Sequence, residues 1–221
     1  MYSAVIVGAG KGTRTHLSFN KIFYEIDGFP LIDFTLRPFR EDKNCDEIIL
    51  VVSPEDETKI KSMFSGPKIQ IIQGGPTRQE SVHHGISKVK SPFVLIHDGA
   101  RPAIHRLLID KCLEEVQIHR AVTPALPVKD TIAMQSEEGF LSSTLPRPNL
   151  VRIQTPQAFV TEEIKKAHEK AYASGRVYPD DASLYQGELS KPVRIVLGDE
   201  YNIKATTKMD LLVLEEILCT K

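Results

Sequence analysis

The sequence predicts one α/β domain over residues 1–221, with a Rossmann-like, doubly wound, mostly parallel sheet and a protruding β-hairpin arm. Short β-branched runs alternate along the chain with amphipathic stretches of helical length, which is the pattern of a sheet covered by helices on both faces. Residues 131–145 break this alternation with two β-like runs around a turn that ends in Gly139. Such a pattern is typical of a hairpin, and we expect an arm at about residues 131–150.

Six short runs are predicted strands. Three of them are apolar almost throughout, as expected for strands buried on both faces. The six runs are residues 4–7, 47–52, 69–72, 93–96, 121–124 and 193–197. Five helices are predicted: one that begins at Ser53, with Ile60, Met63 and Phe64 on one face, and four over residues 79–89, 107–119, 161–175 and 207–218.

Composition excludes several classes of protein. The formal net charge is −1, from 28 Lys+Arg and 29 Asp+Glu, so no overall attraction to nucleic acid or to an anionic membrane is implied. Three scattered cysteines form no disulfide framework and no CxxC motif, which fits a reducing compartment. The apolar run at the amino terminus ends at Gly8, too early for a signal peptide or a membrane span. A soluble, cytoplasmic protein is therefore expected.

A glycine-rich loop follows the first predicted strand, with the sequence Gly8-Ala9-Gly10-Lys11-Gly12-Thr13-Arg14. Alternating glycines let the backbone turn tightly and approach a ligand closely. The loop matches neither the Walker A pattern nor the dinucleotide fingerprint G-x-G-x-x-G cleanly. Its cations Lys11 and Arg14, with Lys21 nearby, favour a highly charged ligand such as a nucleoside triphosphate, whereas each cation taken alone fits a solvated surface side chain equally well.

Two further loops follow predicted strands. In residues 97–102, Asp98 lies at the end of a central strand, where a carboxylate can hold a cation or a ribose hydroxyl. Arg101 can anchor Asp98 or a phosphate, although an Asp–Arg pair that only shapes the loop is the competing interpretation. Residues 73–81 contain two glycines and Ser81, which fit base recognition or, equally, an ordinary turn and helix cap.

The hairpin also allows two interpretations. It is either a surface flap or an arm that packs on a partner subunit. An isolated two-stranded hairpin is only marginally stable in water, which favours the arm and a homodimer.

Taken in order, these motifs resemble the 2-C-methyl-D-erythritol 4-phosphate cytidylyltransferases. The matching segments are residues 8–14, Lys21, Gly74-Gly75 with Arg78 and Ser81, residues 97–102, 127–131, Arg147, 154–159, 180–183 and 202–204. They span almost the whole chain. The resemblance implies a homodimer formed through the arm, with CTP and a sugar-alcohol phosphate as substrates and Mg²⁺ as cofactor. The implied products are the CDP-alcohol and pyrophosphate, in non-mevalonate isoprenoid biosynthesis.

The resemblance also implies roles for individual residues. Cations and a metal are the groups this reaction needs most, because the attacking phosphate is already an anion. Arg14 and Lys21 would stabilise the transition state, and Arg147, Lys204 and Thr131 would hold the sugar phosphate. The CTP side would be bound by Ala9, Gly10, Gly75, Ser81, Asp98 and Arg101. Asp98 is the one implied metal ligand, with Mg²⁺ held mostly by phosphate and water.

The chain departs from the usual family sequence at four places, five residues in all. Gly8 stands where Ala is frequent, Thr15-His16 where Met-Gly is frequent, Asn20 where Pro is common and Ala103 where an aromatic residue is usual. None of them removes a charged residue to which the resemblance gives a role. Two of them alter the loop that carries Arg14 and Lys21.

Three alternative functions remain at this stage. A sibling cytidylyltransferase for another alditol phosphate, such as ribitol 5-phosphate, would have nearly the same CTP site. A dinucleotide-dependent oxidoreductase fits the glycines but not the excess of cations. A non-catalytic nucleotide-binding module is disfavoured by the combination of Arg14, Lys21, Arg147 and Lys204.

Overall fold

The computed structural model describes residues 1–10 and 17–219. The described strands are β1 (Tyr2–Val7), β2 (Glu25–Ile26), β3 (Phe29–Pro30), β4 (Cys45–Val52), β5 (Ile69–Gln73), β6 (Phe93–Asp98), β7 (Ala121–Pro127), β8 (Ala133–Gln135), β9 (Leu141–Thr144), β10 (Val151–Ile153), β11 (Gln157–Val160) and β12 (Arg194–Leu197). The helices are α1 (Leu31–Glu41), α2 (Glu57–Met63), α3 (Arg78–Lys88), α4 (Arg106–His119), α5 (Thr161–Ser174), α6 (Asp181–Leu189) and α7 (Lys208–Cys219).

The central sheet confirms the predicted fold class. Its eight strands follow the order β10-β7-β11-β6-β1-β4-β5, and β12 pairs with β7. The pairings β1–β4, β1–β6, β4–β5 and β7–β12 are parallel. Only β10 and β11 run against the other described strands of this sheet, since each pairs antiparallel with its neighbours. Neither reversed strand was predicted from the sequence.

The helices cover both faces of this sheet, and the alternation of side chains along the strands divides the core in two. Ile6 and Leu50 point to the face that is covered by α1, α2 and α4. Val5 and Ile49 point to the opposite face, which is covered by α3, α5 and α6. A smaller cluster packs α7 against the segment that follows β6. The mostly apolar strands are thus explained by burial on both sides.

Helix α1 was not predicted from the sequence, and Pro38 lies inside it. Proline removes one backbone donor and usually breaks a helix interior. Here Leu31, Ile32, Leu36 and Phe39 are all fully buried, and this packing outweighs the lost hydrogen bond. Helix α6 was not predicted either; its cap is Asp180, whose side chain accepts a hydrogen bond from the Ser183 amide at 2.7 Å.

The first predicted helix begins later than expected. The motif after β4 was interpreted as a cap at Ser53 followed by a helix, but Ser53 closes a turn and α2 starts at Glu57. Of its three predicted inward residues, Ile60 and Phe64 are buried and Met63 is 40% exposed. The turn places Ser53 at the end of the strand, at the same edge as the glycine loops.

The predicted hairpin is present. Strands β8 and β9 pair antiparallel, and Gly139 has φ +88 in the turn between them. Its apolar side chains are turned to solvent: Met134, Phe140 and Leu141 are 55%, 72% and 73% exposed. The hairpin therefore contributes little to the core of its own chain.

The helices of the described residues are short. The longest, α4 and α5, have 14 residues each, whereas a membrane-spanning helix needs about 20 apolar residues. Across the described parts of the chain, none of the helices combines the length and the apolar character that a bilayer crossing requires.

Candidate functional site

Four loops meet at the carboxyl edge of the sheet because the parallel strands end in register. Val7 pairs with Val51 on one side and with Asp98 on the other, and Val52 pairs with Gln73. The loops after β1, β4, β5 and β6 therefore face one pocket of about 600 Å³. Its lining consists of residues 7–10, 21–22, 53–55 and 74–78, together with Ser81, Asp98, Ala100 and Lys204.

Small residues let two of these loops approach each other closely. A Cβ at Gly74 would lie 2.9 Å from the Cβ of Ala9 and 2.6 Å from the hydroxyl oxygen of Ser81, so only glycine fits there. The Gly75 amide donates to the Ser81 hydroxyl at 3.1 Å, and this hydroxyl donates to the Gly75 carbonyl at 3.2 Å. The wall formed by these residues is mostly backbone, which suits recognition of a flat base.

Asp98 is the electrostatic centre of the pocket. Its carboxylate is paired with Arg78 Nε at 3.3 Å, Arg101 Nε at 3.5 Å and Lys204 Nζ at 2.8 Å. Burial opposes ionisation of Asp98, but the charges of Arg78, Lys204 and Arg101 outweigh it and hold the pKa of this carboxyl well below its usual range. Asp98 is therefore a carboxylate at every physiological pH.

Arg78 links the pocket to helix α6. Its Nη1 lies 2.9 Å from Oδ2 of Asp181, whose Oδ1 is 3.2 Å from Nε2 of His168. Asp181 and His168 are both 1% exposed. Burial alone would raise the pKa of Asp181. The charge of Arg78 and the contact with His168 outweigh burial, and the pKa of Asp181 is lowered as a result. The two carboxylates fix the Arg78 guanidinium at the pocket wall.

His97 supports Asp98 from behind. His97 Nε2 lies 3.1 Å from the Arg101 carbonyl, and its Nδ1 is 3.0 Å from the Thr155 hydroxyl, which also accepts the Asp98 amide at 3.1 Å. Burial lowers the pKa of His97 to about 4, so this imidazole is neutral near pH 7 and donates from Nε2. Hydrogen bonds of the uncharged His97 and Thr155 side chains thus hold the loop after β6 behind the charged carboxylate of Asp98.

The structure brings most of the predicted site residues together. Those that line the pocket are Ala9, Gly10, Lys21, Gly75, Ser81, Asp98 and Lys204. Lys21 is only 9% exposed and begins a short 3-10 turn, Lys21–Phe23. Arg101 touches Asp98 but does not line the pocket; its Nη1 donates to the Asn202 carbonyl at 2.7 Å. In this geometry Arg101 anchors Asp98, which is one of its two expected roles.

Two predicted residues lie elsewhere in the chain, and one lies outside the described residues. Arg147 and Thr131 are exposed at the base of the hairpin, where Arg147 Nη1 donates to the Lys129 carbonyl at 3.1 Å. Neither contributes to the pocket that the described residues form. Arg14 falls in residues 11–16, for which the structure gives no placement.

Several residues that form the pocket were not predicted from the sequence. Residues 53–55 form part of its wall, but they were assigned to a helix start. Arg78 and Asp181 fall in segments that match the family, but the sequence gives neither of them a role of its own. Their ion pair joins segments that are far apart in sequence, so no local sequence pattern predicts it. The position of residues 53–55 directly after an apolar strand was the available signal.

A divalent cation would find few protein ligands here. Within residues 1–10 and 17–219, no three His, Cys, Asp or Glu side chains are grouped as a metal site. Asp98 and Glu55 are the carboxylates among the described residues of the pocket wall, and Asp98 already has cations on both oxygens. This donor set fits an Mg²⁺ ion that arrives on nucleotide phosphates and keeps most of its water, as Mg²⁺ commonly does.

A glycine-walled, cation-lined pocket at the carboxyl edge of a doubly wound sheet defines a nucleotide-binding enzyme of the nucleotidyltransferase class. A family model described as 2-C-methyl-D-erythritol 4-phosphate cytidylyltransferase matches residues 2–220. The chain belongs to this family, as its motifs predicted. It is a CTP-dependent cytidylyltransferase of non-mevalonate isoprenoid biosynthesis.

Individual relatives agree with this assignment. The enzyme of that name from Geobacillus thermodenitrificans is 40% identical over 226 residues, covering 100% of this chain and 98% of the relative. The crystal structure of the Thermus thermophilus enzyme of that name is 33% identical, with a TM-score of 0.83 and full coverage of both chains. The 4-diphosphocytidyl-2C-methyl-D-erythritol synthase of Anaerococcus prevotii is 32% identical, with a TM-score of 0.84 over 99% of this chain and 96% of the other.

Proposed function

We propose that residues 1–221 act as one nucleotidyltransferase domain that transfers CMP from CTP to 2-C-methyl-D-erythritol 4-phosphate and releases pyrophosphate. The main support for this proposal is the composition of one pocket. One wall of the pocket is formed mostly by backbone groups of the glycine loops, and the pocket also contains Asp98 with its cations. The wall suits a base and a ribose. The cations suit a triphosphate and a second phosphate.

The reaction needs positioned positive charge more than it needs a base. A phosphate oxygen of the acceptor attacks the α-phosphorus of CTP in line, that oxygen–phosphorus bond forms, and the bond to the pyrophosphate breaks. Negative charge grows on the α-phosphate oxygens and on the leaving group. Lys21, with Arg14 from the preceding loop, neutralises this charge, and fixed cations of this kind cost no reorganisation as the charge develops.

The CTP side of the pocket is read mostly by backbone groups. Ala9, Gly10 and Gly75 bring amides and carbonyls to the base and ribose, and the Ser81 hydroxyl keeps Gly75 in place through two hydrogen bonds. Asp98 accepts from a ribose hydroxyl or contacts the metal. A bound Mg²⁺ would neutralise charge on the phosphates of CTP, and Asp98 is the residue that would contact it. Arg78 and Arg101 keep the Asp98 carboxylate ionised and aimed into the pocket.

The acceptor half of the site requires a second subunit in this proposal. Lys204 reaches the pocket within its own chain, whereas Arg147 and Thr131 are exposed at the root of the arm. The apolar side chains Met134, Phe140 and Leu141 are exposed along the arm, which supports packing on a partner. A homodimer in which each arm delivers Arg147 and Thr131 to the other pocket accounts for both observations.

The free thiols support a cytoplasmic location for the proposed enzyme. Among the described residues Cys45, Cys112 and Cys219 are all free, and free thiols persist in the reducing cytoplasm. We therefore place the enzyme there.

The test is pyrophosphate release from CTP·Mg²⁺ with 2-C-methyl-D-erythritol 4-phosphate and ribitol 5-phosphate assayed side by side. We expect release with the first acceptor and little with the second. Faster release of pyrophosphate with ribitol 5-phosphate would support the proposed reaction of CTP but show that the acceptor is ribitol 5-phosphate. Silence with both acceptors, in folded protein that binds CTP, would contradict the proposal. A response to NADPH but not to CTP·Mg²⁺ would restore the oxidoreductase alternative, against which the named relatives argue.

A further inference from the structure

Asn20 is a buried residue whose side-chain amide is fully used by the protein. It is 9% exposed. Its Nδ2 donates to the Gly8 carbonyl at 2.9 Å and to Oδ2 of Asp56 at 2.8 Å, and its Oδ1 accepts from the Ile22 amide at 3.3 Å. A small side chain with both ends paired in the interior holds a defined geometry.

One end of this amide fixes the turn that carries Lys21. Asn20 is the cap residue of the 3-10 turn Lys21–Phe23: its carbonyl accepts from the Phe23 amide at 3.0 Å, and its side chain accepts from Ile22. The backbone on both sides of Lys21 is thereby restrained. The direction in which the Lys21 side chain leaves the turn follows from that restraint.

The other end ties the turn to two loops of the pocket. The Gly8 carbonyl belongs to the loop after β1, and the Gly8 amide donates to Val51 of β4 at 2.7 Å. Asp56 belongs to the turn after β4, where the Ser53 hydroxyl donates to the same Oδ2 at 2.8 Å. Ser53 and Gly8 both line the pocket. Asn20 therefore joins the Lys21 turn to two other walls of the nucleotide pocket.

We propose that Asn20 is a positioning residue for cytidylyl transfer, which sets Lys21 against the loops after β1 and β4 and acts on catalysis through Lys21. The inference rests on the role of Lys21 in the proposed function. Asn20 itself is not among the described residues that line the pocket. Asp56 accepts hydrogen bonds from both Asn20 and Ser53. Asparagine at position 56 keeps a neutral acceptor and preserves part of this arrangement, whereas alanine provides no acceptor.

The experiment is a double-mutant cycle measured at saturating CTP·Mg²⁺ and acceptor. The variants are Asn20→Ala, Lys21→Ala and the pair, with Asp56→Ala and the conservative Asp56→Asn beside them. We expect Asn20→Ala to lower kcat by about 10- to 100-fold, the size of effect that a small misplacement of a catalytic group produces. In the Lys21→Ala background the same change alters kcat by less than about twofold. Asp56→Ala lowers kcat as Asn20→Ala does, and Asp56→Asn restores most of it.

Thr161→Val is the matched control for lost stability. Thr161 Oγ1 donates to the Ser91 carbonyl at 2.7 Å in a buried site, next to Val160, which pairs with Phe93 at the far end of β6. This variant loses one buried hydrogen bond, and we expect its Tm to fall while its kcat stays at the wild-type level.

The outcomes separate the inference from the proposed function. A normal kcat in Asn20→Ala, or an equal loss in both backgrounds, would overturn the positioning role while leaving Lys21 in place. Wild-type activity in Lys21→Ala would remove the catalytic role of Lys21 itself, and the inference with it.

Discussion

The ammonium of Lys204 lies 2.8 Å from Oδ2 of Asp98. The resemblance to the family gives these two residues different substrates, Asp98 for CTP and Lys204 for the sugar phosphate. In the proposed function, their ion pair lets one carboxylate orient groups on both sides of the reacting phosphates. The Lys204 side chain is 35% exposed whereas that of Asp98 is 9% exposed, so the lysine is the partner that can turn toward an incoming phosphate.

Replacement of Lys204 by alanine should act mainly on the acceptor. A hydrogen bond to a charged group is worth about 1.5–3 kcal/mol, so kcat/KM for 2-C-methyl-D-erythritol 4-phosphate should fall by about 10- to 100-fold in Lys204→Ala. KM for CTP should change far less. Steady-state kinetics with each substrate varied in turn measures both, and Lys208→Ala, an exposed lysine nearby, is the control. An equal rise in both KM values would refute the assignment to the acceptor.

Lys21→Ala should lose turnover and keep the fold. Removal of one preorganised transition-state donor typically costs about 2.7–4 kcal/mol, or about 10²–10³ in kcat. Circular dichroism and Tm report the fold, and pyrophosphate release reports kcat. Lys59→Ala is a matched control, because Lys59 is exposed and its Nζ lies 4.0 Å from the centre of the Phe23 ring, outside the pocket lining. A kcat near that of the wild type in Lys21→Ala would exclude this lysine from the mechanism.

Arg147 should complement Lys21 between subunits. If each arm serves the partner's pocket, a mixed dimer of Lys21→Ala and Arg147→Ala chains has one intact site and one doubly defective site. Equal amounts of the two inactive variants, exchanged at random, should regain about one quarter of the wild-type specific activity. Without subunit exchange the mixture should stay inactive, which is the control. No recovery after verified exchange would show that Arg147 acts within its own chain.

Stability should fall with acid because of His97. Burial lowers its pKa to about 4 from the ordinary 6.5, so between these values the unfolded chain binds a proton that the folded chain excludes. The free energy of unfolding therefore decreases as the pH drops from 6.5 toward 4, by an amount on the order of 3 kcal/mol if His97 acts alone. His83, whose pKa burial also lowers, acts in the same direction.

Urea unfolding at several pH values tests this, with His97→Gln as the comparison. The variant should be less stable at pH 7 and show a shallower pH dependence, since only His83 remains of the two. Asp98 and Asp181 have lowered pKa values, and the stability that they contribute is lost mainly below their ordinary pKa of 3.8, outside this window. An unchanged slope in His97→Gln would contradict the prediction.

The parts of the site that could be predicted from sequence share one property. Gly8, Asp98 and Gly74 directly follow or end strands of the central sheet, and parallel strands end at one edge of a sheet, so a local pattern was enough to bring them together. Lys21 and Lys204 do not follow a predicted strand directly. Lys21 is noted in the sequence as a cation near the glycine loop, and the resemblance to the family gives Lys21 and Lys204 their roles. The structure places both in the pocket.

What could not be predicted depends on contacts between distant segments. Arg78 contacts Asp181 only because α3 and α6 cover the same face of the sheet. The sequence of neither helix predicts that the two helices lie side by side. Helix α1 contains a proline, which by local sequence rules disfavours a helix. The helix forms because Leu36 and Phe39 are buried in the core. Asn20 was recognised as a departure from the family, but its three hydrogen bonds involve Gly8, Ile22 and Asp56, which no spacing rule connects.

The reversed strand β11 has a consequence for how the protein is made. β6 pairs with β1 on one side and with β11 on the other, with Ile96 opposite Gln157, so its second edge stays open while β7 and the arm leave the ribosome. Thr155, which holds the Asp98 amide, precedes β11 and is delivered with it. A nascent chain that ends before residue 155 lacks the Thr155 support for Asp98, and we therefore expect it to acquire nucleotide binding only late in synthesis.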